Sequence, residues 1–238
     1  MNDHASSFGA AAEEYERGRP PYPQEALDWL LPGGEPRVLD LGAGTGKLTR
    51  QIRDRGLDVV AVDPSAGMLG ELRRVLPGVP AHLGDAENIP LPDRSVDLVL
   101  VAQAWHWVDA ARALPEIARV LTPGGRLGLI WNVRDETADW VARLGGIIGG
   151  AELDRGNRIT EPFGAAATTV FSWANTVKPD QLLDLVASRS GIILLPADER
   201  AAVLAQVRQL LATHPALLGR GSFDMPYHTE CARADLVN

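Results

Sequence analysis

The chain has 238 residues, 45% hydrophobic and 23% charged, which fits one compact α/β domain with cap elements or two small domains at most. With 23 Lys+Arg against 31 Asp+Glu, the net charge is −8, so the surface gains nothing from a phosphate backbone and no nucleic-acid partner is expected. There is no run of about 18 apolar residues to span a membrane, and the single cysteine, Cys231, excludes an internal disulfide and a cysteine metal cluster.

Residues 1–22 are polar. Ala10 to Tyr15 can form a short helix before the RGRPPYP segment, where adjacent prolines force Arg19 to Pro23 to run extended. This opening has neither an apolar h-region nor a basic start, so no secretory leader is expected and a cytoplasmic location is. PQEALDWLL predicts a helix from about Pro23 to Leu31, with proline at its start and Pro32-Gly33-Gly34 at its end.

From Arg37 short apolar runs alternate with amphipathic helices. RVLDL leads through a glycine turn to a helix near 46–55; LDVVAV (57–62) is followed by a helix at 65–76, and then comes PAHLG (80–84). VDLVLVA (96–102) precedes a helix at 109–121, and RLGLIW (126–131) follows. Runs such as VVAV and LVLV are apolar on both faces, as central parallel strands covered by helices must be. Repeated βα units predict a doubly wound, Rossmann-like α/β sheet. Residues 132–167 lose this regularity and predict a partly helical insertion. TTVFSW (168–173) predicts a strand, PDQLLDLVAS and ADERAAVLAQVRQLLATH two helices, and FDMPYHTECARA (223–234) an edge strand, with Pro226 restricting its pairing.

The strongest motif is Val38-Leu39-Asp40-Leu41-Gly42-Ala43-Gly44-Thr45-Gly46, where the first strand gives way to the first helix of the alternating region. Ligands of open α/β sheets bind at such a place. Glycines allow the tight turn and close backbone approach, and the helix start offers unpaired N–H groups. Dinucleotide folds use G-x-G-x-x-G. Here the spacing is G-x-G-x-G, preceded by Asp40, whose carboxylate would repel a pyrophosphate but suits a cation. Lys47 is followed by Leu48, so no P-loop is present. Asp63 ends the second strand in VVAVDPSAGML, where an acid can accept from ribose hydroxyls or cap the helix starting near Ser65. Asp85, in Gly84-Asp85-Ala86-Glu87, sits on the same rim and can accept from an exocyclic amine such as that of adenine.

These segments, together with LTPGGRLGLIW, resemble the class I S-adenosylmethionine-dependent methyltransferases. The resemblance is closest to the small-molecule branch with the ubiquinone/menaquinone-type and trans-aconitate-type enzymes. It covers residues 36–131 tightly and extends to RPPYP, similar to an Arg-Pro-x-Tyr-Pro segment of the trans-aconitate-like group. It implies a seven-stranded, mostly parallel sheet whose last strand is antiparallel, with helical cap elements. The chain then divides into a cap segment with the first helix (1–35), a cofactor-binding core (36–131), an insertion covering the substrate site (132–167) and a part completing the sheet (168–238).

The same resemblance implies S-adenosylmethionine as cofactor, with S-adenosylhomocysteine as product. Asp40, Gly42, Gly44 and Gly46 would hold its methionine part, Asp63 its ribose, and Asp85 with Ala86 its adenine. Gln103 would lie under the cofactor. Tyr15 and Arg19 would close over it, with Arg19 reaching its carboxylate. Trp105, His106 and Trp107 then follow the fourth strand where the methyl group emerges. His106 is the candidate general base, although tryptophans walling the acceptor, with His106 orienting them, is the blander alternative. Asn132 and Arg134 are candidate acceptor-binding residues. His214 and His228 stand isolated in the sequence, no spacing suggests a metal, and no G-x-S-x-G elbow points to a hydrolase. The reading is methyl transfer to a small-molecule acceptor, by proximity and in-line orientation. An NAD(P)-dependent oxidoreductase and a catalytically silent cofactor-binding module are the alternatives.

Overall fold

A computed structural model describes residues 18–31, 33–149 and 159–237. Seven strands form one sheet in the order β3-β2-β1-β4-β5-β7-β6. They are β1 (Val38–Leu41), β2 (Val59–Asp63), β3 (Ala81–Leu83), β4 (Val96–Ala102), β5 (Leu121–Arg134), β6 (Ala167–Val177) and β7 (Phe223–Asp235). The helices are α1 (Gln24–Leu30), α2 (Lys47–Arg53), α3 (Ala66–Val75), α4 (Ala110–Val120), α5 (Asp139–Ile148), α6 (Pro179–Ala187), α7 (Ser190–Ile193) and α8 (Ala197–Thr213). Trp105–Trp107 form one 3₁₀ turn. No helix among the described residues is long and apolar enough to cross a membrane.

The chain falls into two compact units. The strand-rich unit comprises Pro21–Asn132, Leu153–Phe171 and Thr229–Asn238. In it β1, β2, β3, β4 and β5 run parallel, with Asp40 opposite Ala61, Asp63 opposite Leu83 and Val99 opposite Leu127. All of β1 is buried, as is β4 apart from Asp97 and Ala102, which explains why neither alternates polar with apolar residues. Its core joins Leu27 and Leu30 of α1 to Leu48 and Ile52 of α2, Leu69 and Leu72 of α3, and Leu98 and Leu100 of β4. Ser65 caps α3 by accepting from the Met68 N–H, and Asp109 caps α4 by accepting from the Ala111 N–H. At the opposite strand ends Arg37 forks onto Asp97, with both contacts at 3.0 Å, and Thr122 adds a bond to the same carboxylate. That set holds the Asp97 carboxyl well below the usual carboxylate range, chiefly through the Arg37 bond.

The helix-rich unit comprises Met1–Pro20, Val133–Glu152 and Ser172–His228. Its core gathers Trp140, Val141 and Leu144 of α5, Leu182 and Val186 of α6, Val207 and Leu210 of α8, and Phe223, Met225 and Tyr227 of β7. Trp140 meets Phe223 edge-on at 5.3 Å.

The structure corrects the expectation that residues 223–234 form an edge strand. β7 lies between β5 and β6, and β6 is the edge. The Leu236 N–H bonds Gly125 O and the Asp135 N–H bonds Pro226 O, so one strand's numbering rises as the other's falls, the mark of antiparallel pairing. Pro226 is tolerated because it falls opposite Asp135, just beyond the last residue of β5, where its missing donor interrupts little of the ladder. β5 is longer than RLGLIW, and the 132–167 segment contributes its end and α5.

Candidate active site

The carboxyl edge of the parallel strands gathers the expected cofactor residues of the strand-rich unit. The chain leaves β1 through Gly42, Gly44 and Gly46, all at positive φ (77°, 56° and 90°). The turn is seated on the end of β2: the Gly42 and Ala43 N–H groups bond Val62 O, and the Gly44 N–H bonds Asp63 Oδ2 at 2.8 Å. Two of these glycines are sterically required. A Cβ on Gly42 would come within 2.8 Å of the Ala104 Cβ, and one on Gly46 within 2.7 Å of Leu76 Cδ1.

Asp40 is fully buried. Its Oδ2 accepts from the Thr49 hydroxyl at 2.6 Å, while its Oδ1 is buried without a hydrogen-bond partner. Burial pushes its carboxyl up to about 7, with a smaller contribution from the nearby Asp63 charge. Asp63 is also buried. It accepts from the Gly44 N–H through one oxygen and from the Ser65 N–H through the other, both at 2.8 Å. Burial raises its carboxyl too, against those two bonds. The helix-cap alternative for Asp63 is taken by Ser65 instead.

Asp85 sits two residues past β3, with Oδ1 buried and unbonded, beside the buried Ala86. A rim with two orphaned carboxylate oxygens and a third carboxylate against the glycine turn calls for a ligand that brings donors and positive charge. Such a set fits the amino group and exocyclic amine of an adenosyl amino acid, and it opposes a pyrophosphate.

Gln103, just past β4, is held at φ +57°, a conformation side chains other than glycine seldom adopt. Its N–H bonds Ile130 O and its amide donates to Asn132 O at 3.1 Å. Asn132 in turn donates to Pro21 O at 2.9 Å and accepts from the Thr229 hydroxyl at 2.6 Å, so its amide is spent on ties within the strand-rich unit. Trp105 and Trp107 do not share an environment: the first is buried and the second 51% exposed. The His106 ring lies against Trp107, with centroids 4.8 Å apart.

The remaining candidates belong to the helix-rich unit or lie outside the described residues. Tyr15 is among the latter. Arg19 donates to Ser188 O at 3.3 Å. Arg134, the last residue of β5, is mostly buried and stands 3.8 Å from Glu136. The two histidines that stand isolated in the sequence both have partners in the fold. His214 is buried, bonded to Asp139 at 2.9 Å and accepting from the Ala216 N–H. His228 joins Ser172 at 2.9 Å and Asp135 at 3.3 Å. Although that row has the composition of a hydrolytic triad, Ser172 is exposed on the regular strand β6, not on a strained turn, and the row reads as cross-strand pairing. Sequence reasoning missed Thr49, which donates to Asp40 from one helix away.

A methyltransferase domain family matches residues 39–129. An uncharacterised methyltransferase of Mycobacterium tuberculosis is 59% identical over 99% of this chain and 98% of its own. An uncharacterised methyltransferase-like protein of Schizosaccharomyces pombe is 35% identical, covering 94% and 93%. A solved methyltransferase structure from Anaeromyxobacter dehalogenans superposes with a TM-score of 0.65 at 24% identity, over 91% of this chain and 97% of that one, and speaks for the fold.

Proposed function

We propose, from the premise that this chain belongs to the class I S-adenosylmethionine-dependent methyltransferases, that its rim of carboxylates holds S-adenosylmethionine for methyl transfer to a small-molecule acceptor. The observation that carries the assignment is the orphaned, buried Oδ1 of Asp40 beside the glycine turn. An ammonium group there supplies both the missing hydrogen bond and the charge that burial withholds. Asp85 Oδ1 takes the exocyclic amine of adenine, and Asp63, still carrying free lone pairs, takes the ribose hydroxyls.

The sulfonium supplies a methyl group already activated toward attack. When bound, S-adenosylmethionine would give up that methyl to the acceptor and leave as S-adenosylhomocysteine. What the chain contributes is orientation and exclusion of water. Trp105 and Gln103 are fixed by burial and hydrogen bonds, which suits them to positioning. His106, beside Trp107, supports that corner more than it abstracts a proton. A cytoplasmic location belongs to the same reading, and burial raises the Cys231 thiol to about 12, leaving it inert.

Incubation with methyl-labelled S-adenosylmethionine and a metabolite extract tests the reading. Label should pass to a small molecule and S-adenosylhomocysteine should accumulate in step. Binding with no transfer to any fraction would leave a catalytically silent module in its place.

A further inference from the structure

Residues 84–95 carry the chain from β3 to β4 with no helix or strand beyond a bridge between Asp85 and Asn88. The candidate adenine acceptor, Asp85 Oδ1, is buried in this loop without a hydrogen-bond partner. A carboxylate tells an amine from a carbonyl only where it is held in place, because a mobile one turns away from the mismatch. The loop has no ladder to hold it, so its backbone groups must find partners elsewhere.

They find them on α4. Arg119 spends all five of its N–H donors there. Its Nε and Nη2 grip Glu116, one turn earlier on the helix, at 3.0 and 2.9 Å. Nη2 also bonds Ile89 O at 2.8 Å, and Nη1 bonds Leu91 O at 2.9 Å and Asp93 Oδ1 at 2.7 Å. Glu116 completes the clamp by accepting from the Ile89 N–H at 3.1 Å, so Ile89 is held at both of its backbone groups. At the start of α4, the N–H of its cap residue Asp109 donates to Glu87 at 2.8 Å. The bond from Arg119 keeps the Glu116 carboxyl below the usual carboxylate range, so the pair stays charged at neutral pH.

The clamp reaches Asp85 through a close contact. Pro90, next to Ile89, closes on Gly84, next to Asp85: a Cβ on Gly84 would lie 2.6 Å from Pro90 Cδ. The Gly84 N–H in turn bonds Asp63 O at 3.2 Å. In so tight a contact, a shift of Ile89 and Pro90 moves the backbone that presents Asp85 Oδ1.

We infer that Arg119, with Glu116, is a positioning residue for base recognition. Through Ile89 and Pro90 it fixes the Asp85 carboxylate, and so sets the preference for the adenine amine over a carbonyl at the same ring position. This rests on the methyl-transfer reading, in which Asp85 meets that amine. All of these residues belong to the strand-rich unit. An arginine that only satisfied loop carbonyls would stabilise the fold without affecting which base binds.

The test titrates the full chain with S-adenosylhomocysteine and with S-inosylhomocysteine, which carries a carbonyl in place of the amine. Calorimetric affinities and melting temperatures are read for the wild type, Arg119→Gln, Arg119→Lys, Asp85→Asn and the variant combining Arg119→Gln with Asp85→Asn. The wild type should prefer the adenosyl compound about tenfold or more. Arg119→Gln should bring the two affinities within about threefold of each other, by weakening the adenosyl compound. Arg119→Lys keeps the charge but loses the fork; its ratio should fall between these, and it carries the test if Arg119→Gln does not fold. Asp85→Asn can turn its amide donor toward the carbonyl and should abolish the preference. Adding Arg119→Gln should then change the ratio no further, because Arg119 acts through Asp85. A lowered melting temperature with the wild-type affinity ratio in the Arg119 variants overturns the proposal, since a purely structural arginine gives that result. If the wild type binds the adenosyl compound without preference, the proposal fails and the methyl-transfer reading stands. If it binds neither compound, that reading falls and the proposal with it.

Discussion

At the scale of the residue, Asp40 carries the most information. Its folded pKa of about 7 lies above the roughly 3.9 of an unfolded aspartate. Between those values the folded chain keeps a proton that the unfolded chain has released, so Asp40's contribution to stability is present at low pH and lost as pH rises toward 7. Only the ionised form attracts an ammonium group. Cofactor affinity should therefore weaken as pH falls below about 7. Asp40→Asn should remove that dependence and cost about tenfold or more in affinity, while Thr49 still finds a carbonyl to bond. Calorimetry from pH 6 to pH 8 checks this, and a variant with wild-type affinity at both ends would refute it. His106 separates two roles just as sharply. If it only supports the corner beside Trp107, His106→Gln should raise KM and leave the pH profile of kcat alone. A loss of about 10²-fold in kcat together with the acid limb would make it the base instead.

The elements follow from local patterns, and the glycine turn shows how far those reach. Gly46, at φ +90°, is the residue before α2, and a Cβ there would strike Leu76 and Leu72 of the α3 segment. Gly46→Ala should cost about 2 kcal/mol or more from backbone strain and overpacking together, lowering the melting temperature by several degrees. Unchanged melting would mean that the turn relaxes freely. The glycine spacing and the doubly apolar strands were legible because both are short-range: three positive-φ positions demand glycine, and strands covered on both faces lose alternation. The place of β7 was not legible. Pro226 argues for an edge when read locally, yet the strand enters between β5 and β6 because Pro226 falls where β5 runs out. Arg189 escaped for the same reason, since 55 positions separate it from Arg134 and only the tertiary fold sets the two charges against each other. Thr49 lies nine residues from Asp40, a separation with no signature in helical or strand periodicity.

For the whole molecule, the two compact units carry different chemistry. The strand-rich unit presents carboxylates, two with unbonded oxygens, and the helix-rich unit presents buried arginines. The central claim is that the carboxylate rim binds S-adenosylmethionine in preference to a dinucleotide. The most direct measurement is a calorimetric titration of the purified chain with S-adenosylmethionine, S-adenosylhomocysteine and NAD, repeated with Asp63→Ala. Both adenosyl compounds should bind and NAD should not, and Asp63→Ala should weaken the adenosyl compounds by about 1.5–3 kcal/mol, the scale of hydrogen bonds to a charged group. Tight NAD binding with no heat from S-adenosylmethionine would contradict the account at its centre.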